Sequence, residues 1–125
     1  MNNLILESSY KTPEIRFDPT RGSLLMKGRV FPENPGEFFQ PVLGWLNAYT
    51  PLPGVKTELI LFLDYFNSAS YEYIFRCCKI MEALGNQGKP ASIVWEYESD
   101  DEDMQQMGQD VSELLKINFE LRSVS

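Results

Sequence analysis

The sequence predicts an α/β fold: a mixed sheet that opens with an N-terminal hairpin and carries three main helices. Three observations lead there. From residue 58 onward strand-like runs alternate with helix-like runs, which implies parallel strands joined by right-handed crossovers. Before residue 31, two alternating stretches flank Asp18-Pro19-Thr20-Arg21-Gly22, a turn by its Pro and Gly. A chain of 125 residues suits one domain, 1–125, with enough buried surface for a core without disulfides.

Each element has its own signal. Leu4–Leu6 is short and reads as an added edge. Residues 13–17 put Ile15 and Phe17 on one face, and residues 23–30 do the same with Leu24 and Met26. Asn34, Pro35 and Glu37 then stand where an N-cap, a first-turn proline and a capping-box acid belong, so a helix is predicted to about Tyr49. Its apolar face is Phe38, Phe39, Val42, Leu43, Leu46 and Tyr49, and Thr50-Pro51-Leu52-Pro53-Gly54 stops it. Residues 58–66 are apolar almost without a break, the pattern of a strand covered on both faces.

A second helix is predicted over about 69–84, with Tyr71, Ile74, Phe75, Cys78 and Met81 inward and Gly85 closing it. Ala91–Tyr97 reads as a strand in which Ile93 and Trp95 alternate with Ser92, Val94 and Glu96. Ser99 and Glu102 have capping-box spacing, and Asp103 adds charge suited to a helix start. Met104, Met107, Val111, Leu114 and Leu115 form the apolar face of that third helix, and Asn118–Val124 is the last strand.

Composition narrows the function. The formal charge is −7 and the pI about 4.5, against nucleic acid and anionic membranes as partners, since both call for clustered Lys and Arg. A basic protein surface is the natural counterpart. No histidine is present, so neither a Ser-His-Asp nor a Cys-His site can be built within the chain. Cys77 and Cys78 are adjacent on a predicted helix, where neighbouring side chains diverge, so no disulfide between them is expected. The first residues lack a basic n-region, and no run approaches the ~20 apolar residues of a membrane span. A cytoplasmic protein is expected. No Gly-x-Gly-x-x-Gly or Walker pattern occurs, and no cofactor is implied.

Asn67-Ser68-Ala69-Ser70 is the most informative segment, because two hydroxyls fall where a helix begins. They serve as helix caps, or one of them takes a phosphate facing the free N–H groups and positive end of the helix. Tyr65, Tyr71 and Tyr73 lie close by and read as half-buried packing or as a docking surface. The acids Asp100, Asp101 and Asp103, with Glu102 and Asp110, read as a solvated helix start; the other reading is a divalent-cation or hydrolase site, although EF-hand spacing is absent.

Several separated motifs, in order, resemble the SiaC family of bacterial regulatory phosphoproteins along nearly the whole chain. They are Thr12-Pro13-Glu14-Ile15, Gly28-Arg29 with Pro32-Glu33-Asn34, Trp45 with Tyr49, Tyr65 through Ser70, Trp95-Glu96-Tyr97, and Asp100 through Met104. The resemblance implies a STAS-like (SpoIIAA-like) domain without catalytic activity. It implies a partner Ser/Thr kinase and a PP2C-like phosphatase, and an unphosphorylated form that binds and activates a diguanylate cyclase in cyclic di-GMP and biofilm signalling. By the same resemblance Ser68 is the phosphorylated residue, with Ser70 the alternative, and Asn67, Ser68, Ala69, Ser70 and Tyr71 are the partner-binding segment. The family residue at the Ser68 position is commonly Thr. The competing expectation is a structural or adaptor subunit whose binding ignores phosphorylation.

Overall fold

The computed structural model describes residues 1–125. In chain order the elements are β1 (Leu4–Leu6), β2 (Glu14–Asp18), β3 (Ser23–Val30), α1 (Pro35–Ala48), β4 (Thr57–Phe66), α2 (Ser68–Asn86), β5 (Ala91–Glu98), α3 (Glu102–Glu113) and β6 (Asn118–Val124). The strands form one sheet in the order β1-β2-β3-β4-β5-β6. The first two pairings are antiparallel and the remaining three parallel.

This order has a direct consequence. Every parallel step moves the same way across the sheet, so right-handed crossovers place all three helices on one face. Two ladders of side chains run beneath them. One joins Phe17, Leu24, Leu59 and Ile93; the other joins Ile15, Met26, Leu61 and Trp95. All eight are buried, and they meet Phe39, Val42 and Leu46 of α1 and Ile74, Cys77, Cys78 and Met81 of α2 in a single core.

The opposite face is bare, which corrects the reading of residues 58–66 as a strand covered on both sides. Leu59, Leu61 and Leu63 are buried, whereas Glu58, Ile60 and Phe62 are half-exposed. A strand order without reversal leaves no helix for that side. The apolar residues there shelter one another laterally, Ile60 between Leu25 and Val94, and Lys27 lies over the Phe62 ring at 5.6 Å. Val94, beside Ile60 on the same side, is buried.

Three further corrections concern ends. Asp101, not Ser99, caps α3: its carboxylate accepts the Met104 amide at 3.0 Å. The chain turns two residues later than the Ser99–Glu102 spacing suggests because β5 extends to Glu98 and the Ser99 amide still bonds Val124. Helix α2 passes through Gly85 and ends at Asn86, with Gly88 (φ +79°) supplying the left-handed residue after the cap. Leu114, expected on the buried face of α3, is 61% exposed because the helix has already ended and Leu115 takes the inward position.

One irregularity shapes the surface. Gly28 pairs with Leu63 and Arg29 with Tyr65, so Asp64 is an extra residue in β4. This bulge reverses the alternation: Tyr65 turns outward beside Arg29, and Phe66 turns inward to meet Trp95 edge-on.

Candidate functional site

The start of α2 lies at the carboxyl end of β4, held by the Asn67 amide bonding the Val30 carbonyl at 3.3 Å. The two hydroxyls of this turn have different surroundings from one another, and neither is the cap. Asn67 is the cap, its side-chain oxygen accepting the Ser70 amide at 3.0 Å. Ser68 occupies the first helical position and is exposed, as is Ala69; their amides have no acceptor within the chain. Ser70 has no exposed surface, and its hydroxyl is buried without a hydrogen-bond partner. Tyr71 is half-buried, stacked between Phe66 and Phe75, and its hydroxyl pKa is raised by burial first and then by Cys78 and Asp110.

The electrostatics of the three helix starts differ. Glu37 stands in the first turn of α1, and Glu102 and Asp103 in that of α3, where acids complement the helix dipole. The first turn of α2 has no acid. Its free amides and positive end face solvent beside the Ser68 hydroxyl. Because Asn67 alone provides the cap, Asn67→Ala is expected to cost about 0.5–2 kcal/mol, readable by urea denaturation; stability equal to wild type would show that the cap contributes nothing.

The remaining candidates are resolved by position. Asp101 is engaged as a cap, Asp100, Glu102, Asp103 and Asp110 are exposed, and no three acids converge in a group suited to a metal. Cys77 and Cys78 are free and buried; burial pushes the Cys77 thiol up to about 12 and raises Cys78 as well. Both are poor nucleophiles. Of the three tyrosines, Tyr73 stacks on Phe39 at 5.4 Å, Tyr71 is stacked as above, and only Tyr65 is exposed. No helix is long and apolar enough to cross a membrane.

Fold and helix start together define a helix-backed α/β domain that presents one accessible hydroxyl at the head of α2. A family model described as SiaC family regulatory phosphoprotein matches residues 6–124. The chain belongs to the SiaC family. It is 27% identical over 123 residues to an uncharacterized protein of Pseudomonas aeruginosa (strain UCBPP-PA14), covering 98% of each. SiaC of Pseudomonas aeruginosa superposes with a TM-score of 0.88 at 26% identity, over 99% of this chain and 100% of that one. A chain in the crystal structure of the diguanylate cyclase SiaD with its activator SiaC, from the same species, gives 0.90 at 26% identity, over 97% of this chain and 99% of that one.

Proposed function

We propose that this chain, acting as one SiaC-like domain over residues 1–125, is a non-catalytic cytoplasmic regulator whose partner choice is set by phosphorylation of Ser68. The unphosphorylated form docks on an effector, a diguanylate cyclase by analogy with the SiaD–SiaC complex. A Ser/Thr kinase adds the phosphate and a PP2C-like phosphatase removes it. The segment Asn67 to Tyr71 lies within the docking surface.

The observation that carries this reading is the Ser68 hydroxyl itself. It is exposed, it is relieved of capping by Asn67, and it stands on the one helix whose first turn lacks an acid. A kinase needs a hydroxyl it can reach, which favours Ser68 over the fully buried Ser70. A phosphate at this point brings about −1.5 to −2 charges to a protein already at −7. Its oxygens have free amides at hand, so the helix tolerates it. An effector surface that desolvates Ser68 does not.

The test has two parts. Fragment mass spectrometry of protein purified from its own cells, with and without phosphatase treatment, is expected to find a phosphatase-sensitive phosphate on Ser68. Titration against the cyclase is expected to show Ser68→Ala binding like the unphosphorylated protein. Ser68→Asp should bind at least an order of magnitude more weakly, since an unpaired charge buried in an interface costs about 2–5 kcal/mol. If both variants bind like wild type, Ser68 is not the switch.

A further inference from the structure

Beside the head of α2, the bulge at Asp64 assembles a second surface feature. Tyr65 turns outward at 50% exposure, its ring 5.6 Å from Phe31 in an edge-on contact. Phe31 meets Tyr10 in the same way at 5.6 Å, and Tyr10 is 71% exposed. The Arg29 guanidinium lies over the Tyr10 ring, 4.9 Å from its centre. The loop carrying Tyr10 is tied down by the Phe31 amide bonding the Lys11 carbonyl at 2.8 Å and by the Lys11–Glu33 ion pair. The patch is continuous with Ser68: Val30, between Arg29 and Phe31, holds the Asn67 amide.

Arg29 is unlike the other arginines. Arg16, Arg21, Arg76 and Arg122 each form an ion pair within the chain. Arg29 forms none, although Glu14 and Asp64 line the same shallow dish. In a protein with 18 acids and 11 bases, an arginine oriented by an aromatic ring yet lacking a carboxylate is an open bidentate donor. Exposed tyrosines around such an arginine have the composition of an interface hot spot, with rigid aromatic area at low entropic cost. The bulge that turns Phe66 inward also aims Tyr65 at solvent beside Arg29, which adds a second exposed ring to the same patch.

We propose that Tyr10, Arg29, Phe31 and Tyr65 form a second part of the effector-docking surface, in which Arg29 takes an Asp or Glu carboxylate of the partner while the rings cover an apolar side chain beside it. This rests on the regulatory reading above. Phosphorylation at Ser68 then acts at the margin of the same contact.

The experiment is calorimetric titration of the unphosphorylated protein with the diguanylate cyclase encoded in the same genome, for wild type, Arg29→Glu, Arg29→Lys and Tyr65→Ala. Arg29→Glu is expected to lose about 30-fold or more in affinity, the loss typical of a hot-spot side chain. Arg29→Lys should lose part of that, because it keeps the charge and gives up the planar fork, and Tyr65→Ala should also weaken binding. Both residues changed are on the surface, so the three variants should melt with the wild type. Wild-type affinity in both Arg29→Glu and Tyr65→Ala would overturn the patch and leave the regulatory reading standing. Absence of any wild-type binding to the cyclase would overturn both. Saturable binding of cyclic di-GMP to the protein alone, abolished by Arg29→Glu, would assign the guanidinium to a nucleotide phosphate and likewise overturn the proposal.

Discussion

Trp95→Ala is expected to remove about 3–5 kcal/mol, a large share of the ~5–15 kcal/mol by which a domain of this kind holds together. Trp95 is 1% exposed at the centre of β5 and is the largest fully buried side chain. Its ring meets Phe66 from β4 and Phe119 from β6, so three strands lose a common contact at once. Its indole N–H also donates to the Met104 carbonyl at 3.0 Å, linking the sheet to the first turn of α3. Alanine leaves a cavity and removes that link between sheet and helix. Urea denaturation followed by far-ultraviolet circular dichroism reads the loss. A cost below about 1 kcal/mol would mean that the surrounding side chains collapse into the space and that Trp95 is not the keystone its contacts suggest.

Gly108→Val is expected to cost about 2–3 kcal/mol, for the opposite reason, overpacking. A Cβ at Gly108 would stand 2.5 Å from Trp95 Cδ1 and 2.7 Å from Leu121 Cδ2, closer than atoms of a packed core come. The missing side chain lets α3 lie directly on the Trp95 ring. Gly44 supplies the control. It also sits mid-helix, in α1, but a Cβ there meets nothing within 4 Å. Gly44→Ala should therefore stabilise by about 0.5–1 kcal/mol through helix propensity alone. Destabilisation at both positions would show that propensity or backbone effects, rather than the contact with Trp95, govern the response at Gly108.

Much of the architecture was legible in the sequence because its signals are local. The hairpin came from a Pro-Gly turn between alternating runs, and α1 from Asn34, Pro35 and Glu37. What escaped depends on partners distant in the chain. The apolar run of 58–66 looks alike whether a helix or only lateral neighbours cover Ile60 and Phe62, and strand order decides which. The bulge at Asp64 exists only against Gly28 of another strand, so the outward turn of Tyr65 has no signature in β4 alone. Ser99 and Asp101 offer equally good capping chemistry, and the length of β5 chose between them. At the candidate site, Ser68 and Ser70 were singled out by their place at a predicted helix start, and Ser68 was preferred by resemblance. The different fates of Ser68 and Ser70 follow from the helical period, which turns the third residue of the helix onto the core. Arg29 was visible in the sequence, but its lack of an acidic partner is a property of the folded surface.

The division of labour between Asn67 and Ser68 has a consequence for how a signal of this kind would persist in a cell. Because the amide side chain, and not the serine, secures the first turn, adding a phosphate to Ser68 withdraws no internal bond from the fold. Negative charge at that helix end adds about 0.3–1 kcal/mol. The phosphorylated form should thus be no less resistant to unfolding and to the proteases that act on unfolded chains. On the proposed function, the state of the switch would then be read only by molecules that touch the surface of the chain, with no loss of the folded pool.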